Sequence, residues 1–581
     1  MTIVDTYVEP SLRAQPVPHR LRVGVILESP AVPRWVHQIL DLLDQSTIAE
    51  LVLIATVKKD EDASIVLPVA PRASLLFKLW RQLDEKVFKA RSMRPDVFDV
   101  VSFAPVRSRP ELLEVQITLV DNRFECDPKD LEAVMRAHLD VLVNLSTVVP
   151  KVRLQESVRC GVWSFEEIDD LLLKIVSRMS HPSLPIENCI NVAVSNREGR
   201  LPCAYLPVDG LSLFRNYSNL CSKRSAMLAQ CLDDLRRHDT QYIQDLLQTP
   251  AANRGAARGN VETARLLSRM LVRMVKQLIR AILFHEQWFI ALRKRAPDED
   301  WTTGGNSLTI VRAPSNHFYA DPFVIDRGEK SYVFFEDYSC AQRKGVISFV
   351  EIDAAKGCGA PQIVLEEPYH LSYPCIFEWH GETYLLPETK DNKTIQLYRA
   401  IDFPWDWELA GVLLRGVAAV DTTILNHKGK FWMFTSGIGS SDSWFDGKSE
   451  LFLFFSNSLF GPWAPHPRNP IVSDIRRCRP AGHLFLADGH LIRPGQDYSA
   501  ADSWAVTLNR VDVLTETEYH ETSVGTVKPG WMKANLGTHT FNRSKRYEVL
   551  DGRTLVGPLS RRNSNLVMET VNLTRPLIEL I

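Results

Sequence analysis

The stretch FYADPFVIDRGEKSYVFFEDY, residues 318–338, decides the fold of this chain. In it, Ala-Asp-Pro leads an apolar strand, a glycine turn follows, and a second apolar strand ends on Glu336 and Asp337. The same shape returns four times, as SYPCIFEWHGETYLLPET (372–389), VDTTILNHKGKFWMFTS (420–436), CRPAGHLFLADGHLIRPGQD (478–497) and GTHTFNRSKRYEVLDG (537–552).

The repeats recur with a nearly constant period. Their leading residues lie 52, 48, 58 and 60 positions apart and are Asp321, Tyr373, Asp421, Arg479 and His539. Paired short strands that recur at about 50 residues are the signature of a β-propeller with one blade per repeat. Five repeats therefore predict an all-β, five-bladed propeller.

The propeller geometry predicts where the functional residues meet. The innermost strand of each blade begins beside the central axis, so the five leading residues are expected to converge on one funnel. The strand that pairs with it ends near the same rim and adds Glu336, Asp337, Glu388 and Gln496. Carboxylates beside arginine and histidine suit sugar chemistry, because glycoside cleavage needs one protonated and one ionised carboxyl group.

On these residues the region resembles the five-bladed propellers of arabinanase-, xylosidase- and invertase-type glycoside hydrolases. The resemblance implies that Asp321 is the base or nucleophile, Glu388 the general acid and Asp421 the residue that tunes the acid. Blade two departs from that pattern, because Tyr373 stands where an aspartate is expected. Residues 301–560 are also similar to the propeller of plant glucosamine inositolphosphorylceramide transferases, which implies glycan or glycolipid handling.

The remaining polar residues of the repeats are predicted to bind substrate. They are Tyr373, Arg479, Arg493, Gln496 and His539. Arginine recognises carboxylate or phosphate groups through paired hydrogen bonds, although an inter-blade salt bridge is an equal alternative for both arginines. No cofactor or metal is expected from the sequence, with a structural ion near His539 as the alternative. Replacing Asp321 by asparagine is expected to abolish turnover with little loss of stability.

The N-terminal part follows a different pattern. After a flexible lead over residues 1–20, strands alternate with helices through residues 21–238, which predicts a parallel α/β sheet of Rossmann type. The order of elements resembles the N-terminal domain of formyltransferases, which polarise the formyl donor with an asparagine and a histidine. Ser164 and Glu166 stand at the matching positions, so the resemblance implies a degenerate formyltransferase site.

A connector over residues 239–300 is predicted between the α/β domain and a propeller over residues 301–581. Its central helix, residues 261–284, has an apolar face and a face that carries Arg265, Arg269, Arg273, Lys276 and Arg280. Such a helix either packs on the propeller as a connector or lies on an anionic membrane.

Composition narrows the class of protein. The net charge is −2 and the isoelectric point is near 6.7, so no global field recruits nucleic acid. The ten cysteines contain no C-x-x-C pair, so no zinc site is indicated. No apolar run is long enough to span a bilayer and the N-terminus lacks the apolar core of a secretory signal, so a cytoplasmic location is expected, with possible contact at the inner face of the membrane.

Three functions remain open from the sequence. The first is a carbohydrate-active enzyme that cleaves or transfers a glycosyl unit in the funnel, acting on a carbohydrate, a nucleotide sugar or a glycolipid. The second is a non-catalytic glycan-binding or scaffold protein with both domains degenerate. The third is a sugar N-formyltransferase with a recognition propeller. The sequence leaves the oligomeric state open.

Overall fold

A computed structural model describes most of the chain, in two compact units. The described residues are 20–58, 75–89, 96–103, 113–120, 123–126, 128–146, 158–166, 168–180, 184–194, 197–201, 204–246, 260–295, 307–314, 316–353, 357–437, 449–499, 505–557 and 567–581. The first unit extends to Val272 and the second begins at Arg273. The lead over residues 1–19 and the linker over residues 247–259 lie outside the described residues.

The N-terminal unit alternates strands and helices, as the apolar periodicity predicts. Its elements are β1 (Leu21–Leu27), β2 (Ala31–Pro33), α1 (Arg34–Gln45), β3 (Ala49–Lys58), α2 (Leu75–Lys89), β4 (Val100–Ser102), β5 (Leu113–Val120), β6 (Arg123–Cys126), α3 (Pro128–Arg136), β7 (Val141–Asn144), β8 (Val162–Phe165), α4 (Ile168–Ser180), β9 (Ile186–Asn188), β10 (Ile190–Val194), β11 (Arg197–Arg200), β12 (Ala204–Leu206), α5 (Leu213–Ser222), α6 (Arg224–Leu246) and the first half of α7 (Asn260–Leu283).

An eight-stranded sheet forms the centre of this unit, in the order β11-β10-β8-β7-β1-β3-β5-β6. Its five middle strands, from β8 to β5, run parallel, and the strands at both edges are antiparallel. Strand β1 is almost fully buried, because it lies between two parallel neighbours and its apolar residues face covered sides of the sheet.

Helix α7 confirms the helix predicted over residues 261–284. Its first half is anchored, since Thr263, Leu266 and Met270 are buried and the latter two join the core of the N-terminal unit. Among the described residues, no helix has both the length and the apolar composition that are needed to cross a bilayer.

The second unit consists almost entirely of strands. They are β13 (His285–Lys294), β14 (Ser307–Arg312), β15 (His317–Arg327), β16 (Lys330–Ser339), β17 (Lys344–Asp353), β18 (Gly357–Cys358), β19 (Gln362–Leu365), β20 (Ser372–Trp379), β21 (Glu382–Glu388), β22 (Thr394–Asp402), β23 (Asp406–Arg415), β24 (Val420–His427), β25 (Lys430–Ser436), β26 (Phe452–Ser456), β27 (Ala464–Pro465), β28 (Arg479–Pro480), β29 (Phe485–Ala487), β30 (His490–Asp497), β31 (Ala505–Leu514), β32 (Tyr519–Val527), β33 (Phe541–Arg543), β34 (Tyr547–Val556), β35 (Val567–Asn572) and β36 (Glu579–Leu580). A short 3-10 helix, Lys390–Asn392, precedes β22.

These strands form five antiparallel sheets, which we call blades 1 to 5. Blade 1 contains β15–β19, blade 2 contains β20–β23, blade 3 contains β24–β27, and blade 4 contains β28–β32 with β36. Blade 5 contains β13, β14 and β33–β35. Each of the first four blades begins at one sequence repeat, which confirms the prediction of a five-bladed propeller.

Contacts between successive blades close a ring. The Trp379 and Phe431 rings, from blades 2 and 3, lie 5.5 Å apart. The Phe541 N–H of blade 5 donates to the Ala481 carbonyl of blade 4 at 2.8 Å. The Ser544 hydroxyl of blade 5 contacts the Asp326 carboxylate of blade 1 at 3.0 Å.

Blade 5 closes the propeller with strands from both ends of the unit. Strand β13 pairs with β34 over ten residue positions, and β14 pairs with β35. The prediction that residues 285–294 belong to the connector was wrong, because they form β13 inside this blade. The apolar residues of β13 are buried, with Phe289, Ile290 and Ala291 fully inaccessible, because both neighbouring strands cover them.

Candidate functional site

The innermost strands of blades 1 to 3 share one backbone irregularity. Asp321, Tyr373 and Asp421 have φ values of +53°, +46° and +52°, and the strand register shifts at each of them. A non-glycine residue in the left-handed region costs about 1 to 3 kcal/mol, and such residues cluster at functional sites. These bulges therefore mark three of the five leading positions as structurally equivalent.

Asp421, in blade 3, contacts blade 4 through its carboxylate and blade 2 through its backbone N–H. It forms an ion pair with Arg479 and accepts a 2.9 Å hydrogen bond from the Gln496 amide, both in blade 4. Its own backbone N–H donates to the Glu388 carboxylate of blade 2 at 3.1 Å. The predicted residues Glu388, Asp421, Arg479 and Gln496 thus form one connected group.

A second group connects Asp321 with blade 5. His539 Nε2 lies 2.9 Å from Asp321 Oδ1, and the Thr540 hydroxyl donates to the same oxygen at 2.8 Å. On its other side, His539 Nδ1 lies 2.7 Å from Asp551 Oδ2. Asp551 also accepts the backbone N–H groups of His539 and Thr540, at 2.8 and 3.1 Å. His539 is therefore held between two buried carboxylates.

His539 and Asp321, which face each other in this group, have opposite pKa shifts. Burial acts to lower the pKa of His539, but Asp551 and Asp321 outweigh it and hold the pKa well above its ordinary value. Burial likewise acts to raise the pKa of Asp321, but the charge of His539 and the hydrogen bonds from His539 and Thr540 leave that pKa lowered. Asp321 is consequently ionised at neutral pH and faces a charged imidazolium.

The glutamates of blades 1 and 2 are shifted the other way. Burial, assisted by the charge of Asp421, raises the pKa of Glu388 to about 7. Burial and the charge of Asp321 raise the pKa of Glu336 well above its ordinary value. Glu336 responds to Asp321, Glu388, Asp421 and His539, so it belongs to the same electrostatic cluster.

A pair of carboxyl groups with opposite pKa shifts can do acid–base chemistry. Asp321 is ionised and can act as a base or nucleophile, while Glu388, with a pKa of about 7, retains a proton in about half of the molecules at neutral pH and can protonate a leaving oxygen. Asp421 modulates this pair, because its charge is among the causes that raise the pKa of Glu388.

A half-buried aromatic group lies beside this cluster. The Phe318 and Tyr338 rings stack at 4.6 Å with an angle of 10° between their planes. His370 meets the edge of Tyr338 at 5.8 Å, and its Nε2 lies 3.6 Å from the Glu336 carboxylate. Flat aromatic faces next to carboxyl groups suit a pyranose ring, which has one apolar side.

Three residues predicted to bind substrate lie inside the protein, namely Gln496, whose contacts are given above, Tyr373 and Arg493. Tyr373 is fully buried; its hydroxyl pairs with Thr423 at 2.9 Å and accepts the Gly482 N–H at 2.6 Å. Arg493 is also buried and forms a two-pronged ion pair with Glu521, at 2.7 Å for each contact. Tyr373 thus joins blades 2, 3 and 4, whereas Arg493 lies within blade 4.

Asp321, His539 and Asp551 could also hold a cation, since their nearest ligand atoms lie within 4.8 Å of one another. A histidine ligand needs a free lone pair, but both His539 nitrogens face carboxylates and the raised pKa favours the doubly protonated ring. A cation at this place would therefore have to displace the proton from one His539 nitrogen.

Sequence reasoning missed Asp551. This residue lies in β34, the second strand of the last repeat, and Glu336 and Glu388 lie in the corresponding strands of blades 1 and 2, so an acidic residue in that strand was the available signal. Its role shows only after ring closure, because its carboxylate contacts the Asp321 backbone N–H from 230 residues away, at 3.3 Å.

The two residues predicted to form a degenerate formyltransferase site lie in β8 and directly after it. Ser164 lies in β8 and pairs with Asn144 and Asn191 on the two adjoining strands. Glu166 follows β8, and its carboxylate accepts a 3.0 Å hydrogen bond from Lys174 of α4. A glutamate paired with a lysine replaces neither the asparagine nor the histidine that polarises the formyl donor in the formyltransferase pattern.

Fold and site together define a five-bladed propeller with an acidic centre. Residues 302–558, most of that propeller, match the family described as "Glucosamine inositolphosphorylceramide transferase 1, N-terminal". The Arabidopsis thaliana protein named glucosamine inositolphosphorylceramide transferase 1 is 37% identical over 223 residues, which are 38% of this chain and 28% of that protein. Its namesake from Oryza sativa subsp. japonica is 34% identical over 245 residues, or 42% of this chain and 32% of that protein. The match thus spans about a third of the length of these curated relatives.

Solved glycoside hydrolases are also similar to this chain. Zg3597, a family 117 glycoside hydrolase of Zobellia galactanivorans, is 13% identical with a TM-score of 0.30, covering 46% of this chain and 89% of that chain. The α-L-arabinanase of Cellvibrio cellulosa is 12% identical with a TM-score of 0.27, covering 38% and 93%. These scores are low, and the propeller architecture rests on the five sheets themselves.

Proposed function

We propose that the propeller is a carbohydrate-active enzyme whose centre cleaves or transfers a glycosyl unit. The observation that carries the proposal is the opposite pKa shift of two buried carboxyl groups in one electrostatic cluster. Asp321 is held ionised by His539, and Glu388 has a pKa raised to about 7 by burial and Asp421. The curated relatives support a carbohydrate-active role.

In the proposed reaction, Glu388 gives its proton to the oxygen that leaves the anomeric carbon. Asp321 either attacks that carbon directly or removes a proton from the attacking hydroxyl group. Water as the attacking group gives hydrolysis, and a sugar or inositol hydroxyl gives transfer. His539 and Thr540 orient Asp321 and keep it ionised.

The substrate class is proposed from the names of the relatives, which mention glucosamine and inositolphosphorylceramide. We propose a glycan or glycolipid whose polar head carries an amino sugar or an inositol phosphate. Phe318 and Tyr338 supply a stacking surface for such a sugar ring.

A panel of substrates tests this proposal. The purified chain is incubated with aryl glycosides, nucleotide-activated amino sugars and inositol phospholipid acceptors, and products are followed by mass spectrometry. Turnover by the wild type that is lost in Asp321→Asn supports the proposal. The absence of turnover across the panel, or equal turnover in that variant, counts against it.

The second candidate is a glycan-binding protein without catalysis. This candidate is favoured because central side chains already bind other protein groups. The Tyr373 hydroxyl forms hydrogen bonds between blades, and the Asp421 carboxylate contacts Arg479 and Gln496. Calorimetry separates the two functions, because a binding protein takes up a glycan from the panel and returns it unchanged.

For the N-terminal unit we propose a formyltransferase-like domain that no longer transfers formyl groups. The tie between Glu166 and Lys174 supports this proposal. The chain should neither bind nor consume a formyl-tetrahydrofolate donor in a calorimetric titration, and measurable consumption would revive the third function. A cytoplasmic location stays part of the proposal and is tested by cell fractionation.

A further inference from the structure

The second half of helix α7, residues 271–284, exposes large apolar side chains. Leu271, Leu278 and Ile282 are 57%, 59% and 70% exposed. Further exposed apolar residues in the same stretch are Val272, Met274, Val275, Ile279, Leu283 and Phe284. Exposed apolar patches of this kind mark surfaces that bind a partner or a membrane.

These side chains share one broad side of the helix. Leu271, Val275, Leu278 and Ile282 follow one another at spacings of three and four residues, which places them in a single row. The apolar row is thus continuous along the exposed half.

Basic residues form a second row on the other side of the same helix. Arg265, Arg269, Lys276 and Arg280 repeat at helical spacing, and Glu262 in the first turn is the acidic residue of α7. An apolar side flanked by arginine and lysine is typical of a helix that lies in the plane of an anionic bilayer.

We propose that α7 docks this protein on the surface of an anionic lipid bilayer. The apolar row enters the boundary between headgroups and acyl chains, while the basic row contacts lipid phosphates. Charge complementarity favours lipid over a second copy of the chain, because a bilayer supplies phosphates to the basic row, whereas two copies pairing through their apolar rows leave both basic rows outside the contact. The proposal is independent of the funnel chemistry.

Vesicle flotation with the full chain tests the proposal. The wild type is expected to float with vesicles of phosphatidylcholine and phosphatidylserine, and to float poorly with phosphatidylcholine alone. Raising the salt concentration from about 0.1 M to about 1 M shortens the Debye length from roughly 10 Å to roughly 3 Å and should release the protein.

Two variants test the two rows separately. Lys276→Glu with Arg280→Glu should weaken binding about fivefold or more for each residue, since one basic residue near an anionic surface contributes about 1 kcal/mol. Leu278→Glu with Ile282→Glu should abolish flotation at any salt concentration. All four side chains are exposed, so folding is expected to be unaffected.

Matched controls come from the propeller. Leu486→Glu alters a leucine that is 69% exposed, and Lys428→Glu with Lys545→Glu reverses two exposed lysines. These variants should float like the wild type. A wild type that stays with the unbound fraction overturns the proposal, as does equal loss in the controls. A dimer seen by light scattering that Leu278→Glu with Ile282→Glu makes monomeric, without lipid binding, assigns the face to a second copy instead.

Discussion

Glu388 makes the stability of the propeller depend on pH in a way that one substitution removes. Burial raises its pKa from an ordinary 4.5 to about 7, so the folded state binds a proton that the unfolded state releases between these values. Stability should therefore be greatest below about pH 4.5 for this group and should fall as the pH rises to about 7. A tenfold change in proton affinity is worth about 1.4 kcal/mol, which puts the full loss at about 3 kcal/mol.

The assay is urea denaturation of the wild type and of Glu388→Gln between pH 5 and pH 8. Glutamine keeps the shape of the protonated acid but cannot ionise, so the variant should lose less stability over this range, by up to about 3 kcal/mol. Glu382→Gln on the same strand is the control, because Glu382 is exposed. Parallel curves for the wild type and Glu388→Gln would refute the raised pKa and the acid role built on it.

Three further substitutions test the remaining contacts of the cluster. Asp321→Asn should abolish turnover and also lower the unfolding free energy by about 3 to 5 kcal/mol, since it breaks a buried ion pair; an unchanged melting temperature would contradict the pairing. Asp421→Asn leaves the half-buried Arg479 beside a neutral amide and should destabilise the protein by a similar amount in thermal unfolding, whereas a change below about 1 kcal/mol would speak against this pair. Arg493→Met, which removes the two-pronged ion pair from the buried Glu521, should cost about 3 to 5 kcal/mol without altering the ligand affinity of the folded protein, and a loss of affinity measured by calorimetry would restore its predicted role in binding.

Much of the fold could be predicted because its signals are local. Each blade from 1 to 4 carries its own hairpin and its own leading residue, so the period alone gives the count of blades. The same regularity predicted that Asp321, Glu388, Asp421, Arg479 and His539 meet, and these five side chains interact electrostatically in the folded protein.

What the sequence could not supply depends on ring closure and burial. Strand β13 reads as part of a connector, because its partner β34 lies more than 250 residues further along the chain. Asp551 likewise reaches the Asp321 backbone only because blade 5 packs against blade 1. The stability loss expected for Asp321→Asn is larger in the structure than from the sequence for the same reason, since the pairing with His539 forms only between blades 1 and 5. The sequence also could not show that Arg493 is paired inside the protein. Its partner Glu521 lies on β32, and the strand pairing of blade 4 brings the two side chains together.

The most direct measurement is a crystal structure of this chain with a glycan that the substrate panel identifies. We predict that the sugar ring stacks on Tyr338 and that the glycosidic oxygen lies within hydrogen-bond distance of Glu388, about 2.6 to 3.2 Å. The carboxylate of Asp321 should face the anomeric carbon. A glycan bound away from Asp321 and Glu388, on an outer face of the blades, would contradict the assignment of the funnel as the active centre.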